Sequence, residues 1–333
     1  MGQFSIKNEN KEVEEGENDY LKFTSFNNQG WKKQKENTFI SVLSQGDQKN
    51  YDIFCIFDGH NGNEVSQFVK NHFCMELLDN IKSNPSKIIN AINQTFLKMN
   101  TLMKDKDGQN ELKQLKLSNI KEEYKNYKRI INEEEIDIQE LSNEDEEELL
   151  EYTGCTTCLI ILDEINKKLY FGNIGNSEVL ICGKNTPRNL ASKHRPTDEI
   201  EKNRINEEKG LIINDKLFGI LNVTRTFGDF GYNKKDNNII SKIISDEPDI
   251  IEYDIKDDDK YIFIGTESVI ECIDKKKFGE IINNIISKNN ESLTKTIETI
   301  IEDNNAYDFY NNDTTFGFDN MTCTLIKIKN KDN

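Results

Sequence analysis

The chain has 333 residues, 35% of them apolar, and a net charge of −17. That length holds one large or two ordinary domains, and so negative a chain argues against nucleic acid as a partner. No run approaches the roughly 18 apolar residues of a membrane span, and no signal-peptide pattern opens the chain.

Seven cysteines, most of them inside apolar runs, read as reduced core thiols of a cytoplasmic (alternatively nuclear) protein and not as a disulfide framework. Residues 1–20 are polar and read as a disordered N-terminus. Gly2 invites N-myristoylation, but Ile6 stands where that signal wants Ser or Thr. Residues 21–330 then read as one domain. Its most telling stretch is Phe54-Cys55-Ile56-Phe57-Asp58-Gly59-His60. Four apolar residues in a row read as a buried strand, which would hold Asp58 rigidly at its end. Gly59 lets the backbone turn and uncovers its carbonyl, and His60 sets an imidazole alongside. A hard-oxygen metal ligand beside a proton donor suits phosphate-ester hydrolysis. Alone, the tripeptide reads equally well as an ordinary strand-end turn with a surface histidine.

Val65, Phe68, Val69, Phe73 and Leu77 recur at helical spacing, so the strand feeds an amphipathic helix. Ile88, Ile89, Ile92, Phe96 and Met103 mark a second helix. A polar stretch follows, with eleven acids and no Lys or Arg between residues 132 and 151. Residues 105–151 read as an acidic insertion, mobile and solvated for much of its length; the alternative is a docking site for a basic protein partner. Short β-rich runs follow at 158–162, 169–174 and 179–182. Cys155 and Cys158 have zinc-like spacing, but no second pair follows and the segment reads as strand. Another apolar run, Tyr261-Ile262-Phe263-Ile264, leads to Glu267, and helical patterns return at 277–286 and 293–301. Asp319 opens a last run of β-formers. Three strand-end carboxylates could converge in one cleft, where oxygen ligands suit magnesium or manganese better than zinc. Strands and helices alternating this irregularly suit an α+β domain with mostly antiparallel sheets.

Phe57-Asp58-Gly59-His60-Asn61-Gly62 resembles the FDGHGG signature of the metal-dependent Ser/Thr protein phosphatases of type 2C. Further segments of that family follow in order: Gly154-Cys155-Thr156-Thr157, Asn173-Ile174-Gly175-Asn176-Ser177, His194-Arg195-Pro196, Glu201 with Arg204-Ile205, and Val223-Thr224-Arg225-Thr226-Phe227-Gly228-Asp229. Gly265-Thr266-Glu267 stands where SDG is expected, and Asp319-Asn320-Met321-Thr322 matches DNMT. The resemblance implies two packed β-sheets flanked by helices, four layers α-β-β-α, with a metal cleft at one end. It implies hydrolysis of phosphoserine and phosphothreonine in phosphoprotein substrates with two Mn2+ or Mg2+ ions. Asp58 would then bridge the ions, the Gly59 carbonyl would bind one of them, and Asp319 and Glu267 would complete the other. Glu36 would hold metal-bound water, His60 would protonate the leaving oxygen, and Lys32 stands where the family grips phosphate with an arginine.

The departures from the family pattern point toward weakened activity. Lys32 offers a point charge in place of a planar fork. Asn37 and Asn176 each replace an aspartate, which removes two charges from the cluster, and Asn176 stands at the place tied to a third, weaker metal. Glu267 and Glu271 keep their charge but differ in reach. The alternative reading is a catalytically inactive phosphatase-fold protein, a pseudophosphatase serving as a binding or regulatory module.

Overall fold

The computed structural model describes residues 11–329 except 31, 33, 45–50, 86, 132–149, 184–186, 234, 237–238, 272, 289–291 and 306–318. The chain opens with β1 (Lys11–Glu17), β2 (Leu21–Asn28), β3 (Thr38–Val42) and β4 (Tyr51–His60). Helices α1 (Glu64–Ser83), α2 (Ile88–Lys104) and α3 (Lys106–Ile131) come next, then β5 (Gly154–Asp163), β6 (Lys168–Ile174) and β7 (Glu178–Cys182). Two antiparallel sheets result. One runs β1, β2, Met321–Ile328, Tyr261–Gly265, β7, Arg188–Asn189; the other runs Asp249–Asp254, β6, β5, β4, β3.

The alternation of side chains along β4 makes the layers. Ile53, Cys55 and Phe57 join Phe68, Phe73, Ile92 and Phe96 of the first two helices in one core. Phe54 and Ile56, pointing the other way, join Phe23, Phe171 and Ile262 between the sheets. On the far side, Phe26, Phe263 and Leu325 pack with Ile282 and Ile297 from helices Phe278–Lys288 and Leu293–Asn305. The fold is therefore α+β, two antiparallel sheets between helical layers. Strands covered on both faces read as continuous apolar runs, which is why β4 and Tyr261–Gly265 stand out in the sequence. Among the described residues no helix is long and apolar enough to cross a membrane.

Two expectations need correction. Residues 11–17 are not a disordered tail: β1 pairs with β2 from Lys11↔Asn28 to Glu17↔Lys22. It is an exposed edge strand, so its polar composition hides it. The first part of the 105–151 segment is not loose chain either. It is the helix α3, and Leu112 buries itself against the α1–α2 core. Residues 132–149, with most of the acids, and residues 1–10, with Gly2, lie outside the described residues.

α3 also reaches the loop after β4. Glu64, fully buried at the start of α1, takes Lys116 at 3.3 Å and the Asn119 amide at 2.9 Å, both from α3. Lys116→Met leaves that carboxylate without its counter-charge and should destabilise the protein by about 1–3 kcal/mol, the cost of an unsatisfied buried group. Adding Glu64→Gln should recover most of the loss. A urea midpoint unchanged by Lys116→Met would contradict this reading of α3.

Candidate active site

Four strand ends meet at one end of the sandwich. β4 delivers Asp58, Gly59 and His60; Glu267 follows Tyr261–Gly265; Asp319 precedes Met321–Ile328; Asn176 lies in the turn between β6 and β7. Together with Lys32 they line a cavity of about 470 Å3. The loop before β3 is fastened to it by Asn320. Its amide donates to the carbonyls of Gln29 at 2.6 Å and Gln34 at 3.2 Å, and its oxygen accepts from the Glu36 N–H at 2.6 Å. Gly59 has no room for a side chain, since a Cβ there would lie 2.4 Å from the Glu36 carbonyl oxygen.

The charges on this side are unbalanced. Lys32 Nζ bridges Glu36 Oε2 and Asp319 Oδ1, each at 2.7 Å, while the other Glu36 oxygen accepts from the Gly62 N–H at 2.8 Å. Burial alone would weaken the Lys32 ammonium; its bonds to Asp319 and Glu36 reverse that and raise its pKa. Asp58 is pushed up to about 7, first by burial and then by Asp319, against the smaller opposing pull of Lys32 and His60. Three carboxylates thus share one lysine and a histidine.

The opposite side is neutral by construction. Glu267 Oε1 is engaged by Arg195 and, at 3.4 Å, by Lys193, and its Oε2 accepts from the Asn176 amide at 2.7 Å. Arg195 also meets Glu271 at 2.6 Å. Buried Glu178 takes Lys193 at 2.9 Å and Lys275 at 2.7 Å. Burial would raise the Glu178 pKa, but those two lysines lower it. Here three acids face three cations.

His60 has its own acid. Its Nε2 lies 2.8 Å from Oδ2 of fully buried Asp229, and Thr226 Oγ1 donates to the same oxygen at 2.7 Å. Burial would lower the His60 pKa; Asp229 outweighs it and raises it.

Such an arrangement has relatives. The profile of the protein phosphatase 2C family matches residues 21–117 and 104–313. "Probable protein phosphatase 2C 4" of Paramecium tetraurelia is 30% identical over 336 residues, covering 99% of this chain and all of that one. The chain belongs to the protein phosphatase 2C family. "Protein phosphatase 2C 1" of the same organism is 29% identical over 92% of each chain. In fold, a serine-threonine phosphatase 2C from Toxoplasma gondii superposes with a TM-score of 0.67 at 14% identity, over 96% of this chain and 99% of that one. At the level of its family, the chain is a metal-dependent protein Ser/Thr phosphatase.

Of the residues the sequence nominates in this phosphatase, Lys32, Asp58, Gly59, His60, Glu267 and Asp319 line the one cavity, and Glu36 joins them through Lys32. Among the described residues no three His, Cys, Asp or Glu side chains form a ready metal cage. The two halves answer the question of a divalent ion differently. Asp58, whose pKa is raised first by burial and then by Asp319, and Asp319 itself present hard oxygens in need of positive charge, and a divalent ion fits them. Glu267 is already compensated and fits one only by exchanging its present partners. Arg195, Lys193 and Asp229 were not nominated for any role from the sequence. The visible signal for Asp229 was only its place as the last residue of the family-like segment Val223-Thr224-Arg225-Thr226-Phe227-Gly228-Asp229.

The Glu201 and Arg225 segments brace the wall that carries Asp229. Arg225 Nε donates to Glu201 at 2.9 Å and its Nη1 to Asp249 at 2.9 Å, while Thr224 and Arg204 take the other Glu201 oxygen at 2.6 and 2.7 Å. Burial would raise the Glu201 pKa, but Arg225, Thr224 and Arg204 hold it down at about 2, against an ordinary 4.5. Its stabilisation is therefore full above pH 4.5 and is lost as the pH falls through about 2. Allowing for solvent screening, Glu201→Gln should cost about 2 kcal/mol at pH 7. In chemical denaturation the gap from wild type should close between pH 4.5 and 2; a gap that is independent of pH would contradict the assignment.

Proposed function

We propose that the chain is a working phosphatase of low metal affinity, hydrolysing phosphoserine and phosphothreonine in protein substrates. Asp58 and the Gly59 carbonyl would hold one Mn2+ or Mg2+, with Glu36 ordering water beside it, and Asp58 with Asp319 would hold a second. Glu267 would join that second ion after releasing Arg195. When bound, such ions place positive charge against the phosphoryl oxygens and make a nearby water a better nucleophile. The chain's own groups do the rest. Lys32, exchanging a carboxylate for the substrate, would grip a phosphoryl oxygen as a point charge. His60, as imidazolium, would give its proton to the departing seryl or threonyl oxygen.

One observation carries this reading: Asp58 and Asp319 meet at fixed strand ends with too little positive charge around them. A second observation favours the inactive binding module, namely that Glu267 is saturated by Arg195, Lys193 and Asn176. Hydrolysis of p-nitrophenyl phosphate across a manganese titration decides between the two. Wild type should turn over with millimolar-range metal demand, and Asp58→Ala should fall by at least about 100-fold, as expected when bound charge is lost from the site. No turnover at any manganese concentration would leave the binding module standing.

The neutral half makes a sharper prediction. Arg195→Met leaves Glu267 and Glu271 short of one cation, so an ion should bind there more readily. The manganese concentration for half-maximal activity should drop by about tenfold, or about 1.4 kcal/mol, a modest share of a charge–charge term at an effective dielectric near 20. An unchanged or raised requirement would mean that Arg195 does not compete with metal.

A further inference from the structure

We infer that Asp229 is a positioning residue for His60, fixing the ring so that Nε2 keeps its hydrogen and Nδ1 is the nitrogen that hands a proton to the leaving oxygen. The inference rests on the phosphatase reading above and extends it to a residue that reading does not use.

Three neighbouring strands build the pair. In the register of the second sheet His60 on β4 stands opposite Gly154 on β5, and Gly154 in turn stands opposite Gly228 of the short strand Phe227–Gly228. His60 and Asp229 therefore approach from either side of one glycine. A Cβ on Gly154 would lie 2.1 Å from Asp229 Oδ2 and 2.5 Å from His60 Nε2, so the contact exists only because position 154 has no side chain. Asp229 itself sits in the left-handed region at φ 51°, which Asp tolerates better than most residues, and its N–H donates to the Thr153 carbonyl at 2.9 Å.

A purely structural role fits poorly. Asp229 is fully buried, and its Oδ1 has no hydrogen-bond partner among the described residues. A buried carboxylate with one idle oxygen is an expensive way to fill space. The Thr226 hydroxyl already donates to Oδ2, so that oxygen is oriented before His60 arrives. A carboxylate can only accept, which makes Nε2 the donor and gives the ring one defined orientation. In the reaction a water oxygen bonds to phosphorus and gives up a proton to solvent, while the P–O bond to the leaving group breaks with its electron pair on the leaving oxygen. The proton on Nδ1 moves to that oxygen, and the ring is left neutral with hydrogen on Nε2, still bonded to Asp229.

The test combines kinetics with a spectroscopic readout. A series of aryl phosphates from phenyl to p-nitrophenyl should be hydrolysed at saturating manganese by wild type, Asp229→Asn, His60→Ala and the double variant. Asp229→Asn keeps the side-chain volume, so folding is checked by its melting curve. Its kcat should fall by about tenfold to hundredfold on phenyl phosphate, part of what a positioned acid supplies, and by less than about threefold on p-nitrophenyl phosphate, whose leaving group needs no proton. KM should change little, and the double variant should be no slower than His60→Ala. Gly154→Ala, which keeps both partners but wedges them apart, should show the same leaving-group pattern and serves if Asp229→Asn does not fold. Equal loss on all leaving groups, or losses that multiply in the double variant, would overturn the inference.

Separately, 15N NMR of the metal-free protein reads the ring directly, with only three histidines to assign. Nε2 of His60 should carry hydrogen, and an unprotonated Nε2 would overturn the pairing. Wild type inert toward every aryl phosphate would instead sink the phosphatase reading, while the NMR result still decides the pair.

Discussion

Asp58 lies near the end of β4, a strand packed on both faces, so its backbone is held where its carboxylate and that of Asp319 line one cavity. Burial first, and then the charge of Asp319, disfavour ionisation of Asp58. Lys32 relieves only some of this, since it is divided between Asp319 and Glu36. Protonation of Asp58, favoured first by its burial and then by Asp319, relaxes the tension, as a further cation would. The rest of the cleft is arranged around that choice. Asn320 ties the loop of Lys32 and Glu36 down, Glu64 and α3 hold the turn after His60, and Asp229 holds His60 itself.

The other wall of the same cavity has settled its charge internally. Where the family pattern has aspartates, this chain has Asn176, Glu267 and Glu271, and the charge that a metal would bring is carried by Arg195 and Lys193. A longer acid reaches its cationic partner more easily than a shorter one, and an amide can donate where a carboxylate cannot. The substitutions are thus mutually consistent: each favours hydrogen bonding within the protein over ligation. Two neighbouring subsites of one family site can diverge in this way without disturbing the strands that carry them.

Most of the fold was legible in the sequence because doubly covered strands are unbroken apolar runs, and the helix after Asp58-Gly59-His60 shows its face at Val65, Phe68, Val69 and Phe73. The site residues were legible as carboxylates at the ends of those runs. Two elements were hidden by composition. β1 is an edge strand with an exposed, charged sequence, and among the described side chains of α3 the large apolar ones that join the core are Leu112 and, partly, Leu115, so neither element stands out by periodicity. The Asp229–His60 pair was hidden for a different reason. It depends on strand Phe227–Gly228 pairing with β5 and on a glycine at 154, a contact across 169 positions that no local pattern encodes. The cations on Glu267 were hidden in the same way, by turns brought together only in the folded chain.

The two halves of the cleft differ in their demand for positive charge. Titrating the metal-free protein with Mn2+ while following the free-ion electron paramagnetic resonance signal counts bound ions directly. Two classes of ion should appear: a first whose binding is abolished by Asp58→Ala, and a second weaker by at least about tenfold, since Glu267 must give up Arg195. Two ions of equal affinity, or a first ion indifferent to Asp58→Ala, would contradict that difference in demand.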